Sequence, residues 1–69
     1  MTNTYLVYET TGKHPDVHVD IQASTNRDAL VAFKRSGAVP TDSYISQVQT
    51  GRRYVLEAPD GSVWIADKS

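Results

Sequence analysis

The densest run of potential metal ligands is H-P-D-V-H-V-D, residues 14–20. His14 and His18 are four residues apart, a spacing that on an extended chain separates them by about 13 Å, too far to share one ion. His18 and Asp20 do share a face of such a strand, but two ligands from one strand need others that this chain does not offer. The run therefore reads as a solvated hairpin edge, and no metal site is expected. Gly12-Lys13 lacks the upstream glycine spacing and the following Ser or Thr of a phosphate loop, so it reads as a turn carrying a lysine. There is no cysteine nucleophile, no G-x-S-x-G, and no carboxylate pair framed by a glycine-rich or apolar pocket signal. So small an interior also leaves little room for a desolvated cavity of roughly several hundred Å³. Neither catalysis nor a cofactor is expected. Tyr44, Tyr54 and Trp64 offer rings on which bases could stack, but the K/R-G-F/Y-G/A-F signature of the commonest RNA-binding module is missing. A small nucleic-acid-binding regulator stays open as the alternative reading, and a homodimeric accessory protein as a third.

What remains is a basic stripe. In S-T-N-R-D-A-L-V-A-F-K-R-S-G, residues 24–37, Ala29, Leu30, Ala32 and Phe33 recur with helical spacing and form one apolar face. Arg27, Val31, Lys34 and Arg35 fall on the other face. Lys34 and Arg35 also suit the negative end of the helix dipole, which explains them without any partner. Arg52 and Arg53 follow the Thr50-Gly51 turn of a hairpin. Arginine mixed with an apolar anchor such as Val31 is favoured at protein interfaces, because guanidinium stems bury well while their heads pair with carboxylates. The candidate partner-binding residues are thus Arg27, Val31, Lys34, Arg35, Arg52 and Arg53; a merely solvated helix face is the alternative.

The elements that must position these residues follow from periodicity. Residues 4–9 (T-Y-L-V-Y-E) read as a strand and residues 10–16, with Gly12 and Pro15, as a hairpin loop. In residues 17–23 (V-H-V-D-I-Q-A), Val17, Val19, Ile21 and Ala23 point one way, towards the core, and His18, Asp20 and Gln22 point to water. Thr25 and Asp28 form a T-x-x-D capping box, Gly37 stands where a left-handed residue ends the helix, and Pro40 forbids its continuation. Residues 44–49 predict a third strand, with a bulge or an exposed apolar side chain because Ile45 and Val48 differ in parity. Residues 52–58 and 62–67 predict the last two strands, joined by the turn Pro59-Asp60-Gly61. The expected fold is α+β in two layers: a five-stranded, mostly antiparallel sheet with one helix on one face, in the order β-β-α-β-β-β. One helix covers one face, so the other must be polar or an interaction surface. Both faces of the C-terminal meander carry apolar groups, so Trp64 either caps the core edge or, outward, points to a homodimer or a protein partner.

The totals agree. Residues 1–69 suffice for a single small domain with one core, and a chain of this size buries only about 60% of its unfolded surface. The seven basic and eight acidic residues leave a net charge of −1, unlike the strongly basic balance of a dedicated nucleic-acid binder. Five of the seven cations nevertheless sit in the helix and one hairpin, while the acids are spread from Glu9 to Asp67. That asymmetry points to an acidic partner surface, or to phosphates met at one place. Without cysteine, no disulfide framework is available, which fits a reducing cytoplasm. No signal peptide and no run of about 18 apolar residues is found, so no membrane association is expected.

Tyr5-Leu6-Val7 with Glu9, then Ile21-Gln22-Ala23-Ser24-Thr25 leading into the helix with Ala29, then Asp60-Gly61-x-x-Trp64-Ile65-x-Asp67, together with length and element order, carry a likeness. On these residues the chain resembles a family of small phage anti-CRISPR proteins, the ninth-numbered inhibitors of the type I-F surveillance complex. The resemblance implies a five-stranded antiparallel sheet with one helix, and a phage or mobile-element inhibitor acting in the host cytoplasm. It implies that the partners are the backbone subunits of the CRISPR effector complex, and that binding blocks pairing of target DNA with the guide. Some members of that family also draw in duplex DNA non-specifically through basic helix residues. Arg35 matches a basic family position near the helix end. Leu30 and Val31, however, stand where the family carries a basic pair, and Ser62-Val63 replaces another in the last hairpin. The stripe therefore looks fitted to a protein surface rather than to DNA.

Overall fold

The computed structural model describes residues 2–48 and 53–69. Five strands and one helix follow in the order β1 (Asn3–Glu9), β2 (His18–Ala23), α1 (Asn26–Arg35), β3 (Tyr44–Gln47), β4 (Tyr54–Glu57) and β5 (Val63–Lys68). They form one sheet in the order β2-β1-β5-β4-β3, and every neighbouring pair is antiparallel. The small α+β fold is the expected one. Arg52 and the Thr50-Gly51 turn lie outside the described residues.

Local chemistry sets the helix. Thr25 adopts extended backbone and its hydroxyl accepts the Asp28 N–H at 3.1 Å, satisfying one of the first-turn donors. At the far end Gly37 takes φ of 84°, a left-handed conformation in which a side chain is strained. The Pro59-Asp60-Gly61 turn closes in the same way, with Gly61 at φ 88°.

The helix buries Ala29, Leu30 and Phe33 against Val7, Leu56, Trp64 and Ala66. Trp64 is central to this core. Its ring meets Phe33 at 5.0 Å between centroids, and its indole N–H donates to the Ser62 hydroxyl at 3.0 Å. Trp64 is thus neither an edge cap nor an outward group; strand alternation instead turns Val63 and Ile65 to the uncovered face.

Three expectations are corrected. Ala32 is exposed, because it lies about 110° round the helix from the centre of the buried face and beyond the sheet's reach. Val17 and Val19 share the core-side parity of Ile21 and Ala23, yet each is 37% exposed. A ten-residue helix crosses only the Ala23 end of β2 and leaves the other end uncovered. The third strand ends at Gln47, so Val48 enters no parity conflict within it; its N–H still donates to the Arg53 carbonyl at 2.8 Å.

Glu9 ties the first hairpin to the last strand. It is buried, and its Oε2 accepts the N–H groups of Thr11 at 2.7 Å and Val63 at 3.0 Å, together with the Thr11 hydroxyl. Its Oε1 accepts the N–H groups of Lys13 at 2.9 Å and His14 at 3.3 Å. Burial alone would push this carboxyl up. The Thr11 hydroxyl and the N–H groups of Val63, Thr11 and His14 favour the charged form, and together they hold it at about 2. The group is therefore depressed in the folded state. Its stabilising contribution is complete above the unfolded value of 4.5 and is lost as pH falls towards 2. Thermal melts of the wild type should lose midpoint steeply across that window. Glu9→Gln should melt lower at pH 7 and show a shallower acid slope; equal slopes would refute the assignment.

Candidate functional site

Arg27, Val31, Lys34 and Arg35 are spaced i, i+4, i+7 and i+8, so they line one side of α1. The 36–43 connection brings the chain back beside the helix, and Thr41, Tyr44 and Ile45 form the opposite bank. Between the banks runs a groove of about 520 Å³. Val31 and Ile45 are half-buried and supply an apolar floor, while Tyr44 borders the groove at the start of β3 and turns its exposed side chain to Glu57 on the sheet face away from the helix. The Tyr44 hydroxyl is raised by its hydrogen bond to Glu57, by the charge of that carboxylate and by burial. Among the described residues, no carboxylate oxygen lies within 4 Å of the charged groups of Arg27, Lys34 or Arg35. Lys34 and Arg35 also stand in the last turn, where the helix dipole favours cations. Three cations without a carboxylate partner among the described residues thus surround an apolar strip beside an edge strand.

Four of the six candidate residues come together here. Arg53 does not. Its guanidinium pairs with Asp67 at 3.6 Å, and Asp67 also accepts the Tyr8 hydroxyl at 2.7 Å. Both Tyr8 and Asp67 alternate with buried neighbours and belong to the sheet face turned away from the helix. Arg53 lines a separate hollow of about 600 Å³ beside the start of the helix, with Thr25, Asn26 and Lys68. Arg53 therefore lies outside the groove, in a hollow that adjoins the start of the helix. Tyr44 and Ile45 are the groove residues that the basic stripe alone does not identify. The signal for them is Pro40, which ends the helical path and sends the chain back alongside α1.

The histidines go elsewhere. His14 Nε2 lies 3.0 Å from Asp60 Oδ2, and its ring stacks on Trp64 at 5.5 Å. Hydrogen bonds from the Ser62 side chain and from His14 and the Ser62 N–H hold the Asp60 carboxyl well below the usual carboxylate range. Ser62, His14 and Asp60 are the residue types of a hydrolytic triad, but their order is wrong for one. A nucleophilic serine must meet the imidazole, whereas here Asp60 stands between them and Ser62 is buried, with its oxygen accepting from Trp64. The cluster instead clasps the first hairpin loop to the last turn. His18 is exposed and stacks on Tyr8 at 6.2 Å. Among the described residues, no three His, Cys, Asp or Glu side chains gather as a metal site would need, and no helix is long and apolar enough to cross a membrane.

No family model matches the chain, and no characterised protein and no solved structure matches it either.

Proposed function

We propose that this is a non-enzymatic phage or mobile-element inhibitor acting in the host cytoplasm, which binds a backbone subunit of a type I CRISPR surveillance complex through the groove between α1 and β3. The observation that carries the binding half of this reading is the set of cations, Arg27, Lys34 and Arg35, that have no carboxylate partner among the described residues and stand around Val31 and Ile45. Cations held apart from carboxylates have no ion pair to give up on binding, and an apolar floor supplies the desolvated centre that an interface needs. The surface they fit is acidic at its rim and apolar at its centre. Naming the partner rests on the likeness of residues 5–9, 21–29 and 60–67 to the anti-CRISPR family described above.

Inhibition would need no chemistry. Sequence recognition in such complexes comes from pairing between guide and target strand, so a protein seated against the backbone subunits abolishes it by exclusion. The test is a gel shift of labelled target DNA with a purified type I surveillance complex. Prior addition of the protein at equal molar ratio should abolish the shifted band, and Arg27→Glu with Arg35→Glu should restore it. An unchanged band at tenfold excess, or salt-dependent binding of the protein to naked duplex, would contradict the reading; the latter would favour a nucleic-acid-binding regulator.

A further inference from the structure

We propose that a second copy of this chain pairs with the free edge of β2, extending two sheets into one around a two-fold axis through Val19. The sheet has two edges, β2 and β3, and β3 is a four-residue strand beside the groove. β2 is the longer edge, six residues from His18 to Ala23, and it contains no lysine, proline or glycine. Edge strands are commonly blunted by such residues or by bulges, because an open row of N–H and C=O groups templates another strand. Beside that open row stand Val17 and Val19, each 37% exposed where α1 does not reach. With Tyr44, they are the exposed large apolar side chains among the described residues.

Register selects the occupant. A two-fold axis perpendicular to the sheet keeps each side chain on its own face, so antiparallel pairing of two β2 strands must centre on a residue. Centred on Asp20, it sets two carboxylates opposite one another. Centred on Ile21, it leaves Val17 without a facing partner and runs His18 towards Ser24 and the start of the helix. Centred on Val19, the facing pairs between residues 17 and 21 are complementary: Val19 meets Val19, Val17 meets Ile21, and the His18 imidazole meets the Asp20 carboxylate, the last two pairs occurring twice, while Gln22 and Ala23 run past Asp16 and Pro15. Facing pairs of this kind are the units that stabilise a sheet, and opposite charges across strands favour pairing. This is the register that places both exposed valines at the seam and sets unlike polar groups opposite one another. A single-strand contact lies below the area of a tight interface, so the dimer is expected to form with concentration rather than persist on dilution.

The chain has no cysteine, so introduced ones report the register alone. Facing residues in an antiparallel pair stand about 4.5–5.5 Å apart at Cα, within disulfide reach. Under mild oxidation V19C should form a covalent dimer. V17C and I21C singly should not, while the V17C/I21C double variant should. In sedimentation from about 10 µM to 1 mM, wild type should shift towards dimer, and V19K should weaken association about tenfold, equivalent to ~1.4 kcal/mol. H18D should also weaken it by facing Asp20 of the second copy, and adding D20K should rescue it. A monomer throughout that range, or a dimer that V19C does not lock and H18D does not weaken, overturns the proposal. Circular dichroism of each variant separates these outcomes from failure to fold.

Discussion

Trp64→Ala is expected to leave the chain largely unfolded at 37 °C. Removing a buried tryptophan or phenylalanine side chain costs about 3–5 kcal/mol, because the transfer free energy is lost and the cavity closes only in part. Trp64 carries more than area. It fills the space under Phe33, gives His14 a face to stack on, and donates the hydrogen bond that satisfies the buried Ser62 oxygen. A domain of this length holds only about 3–10 kcal/mol in total, so the loss is comparable with the whole. At about 4–8 °C per kcal/mol for a chain of this size, the melting midpoint should fall by roughly 15–30 °C. Tyr44→Ala, at an exposed position at the start of β3, should move it by only a few degrees. Thermal circular dichroism of the two variants decides this, and similar small shifts would mean that the core is not centred on Trp64.

Reversing Arg27 and Arg35 to glutamate should abolish partner binding while the fold survives. Both side chains are exposed and, among the described residues, neither is ion-paired. The folding cost is limited to a less favourable charge at the helix end, about 0.3–1 kcal/mol. At an interface the balance differs. A desolvated charge pair broken at one partner costs about 2–5 kcal/mol, and each 1.4 kcal/mol is tenfold in affinity. Two reversals should therefore weaken binding at least about a hundredfold. Arg53→Glu is the matched control. It disrupts an exposed pair with Asp67 on the other sheet face, worth about 0–1 kcal/mol to the fold, and should leave binding within about twofold. Titration calorimetry with the purified complex measures both.

Features written by short-range chemistry are legible in the sequence. Thr25 and Gly37 bracket the helix through backbone groups a few residues away, and Pro59-Asp60-Gly61 forms its turn from its own torsional preferences. Strand parity likewise separates Tyr54 and Leu56 from Val55. What alternation does not carry is how far each element reaches. Val17 and Val19 keep the parity of Ile21 but lie beyond the span of α1, and Ala32 keeps helical spacing but sits on the flank. Glu9 is unreadable as a structural keystone because one of its donors, the Val63 N–H, comes from 54 positions away. The same limit separates the basic residues: Arg53 pairs with Asp67 and lines a hollow beside the start of the helix, outside the groove that holds Arg27, Lys34 and Arg35. The stripe from Arg27 to Arg35 is visible as spacing; its second bank, Tyr44 and Ile45, requires the sheet order.

The most direct measurement is amide hydrogen exchange of the protein alone and saturated with a purified type I surveillance complex. Engagement through the groove predicts slowed exchange in residues 27–35 and in β3, with the N–H groups of β2 unchanged. Protection confined to the uncovered sheet face or to β2, with α1 exchanging at its free rate, would contradict a binding site built from Arg27, Val31, Lys34 and Arg35.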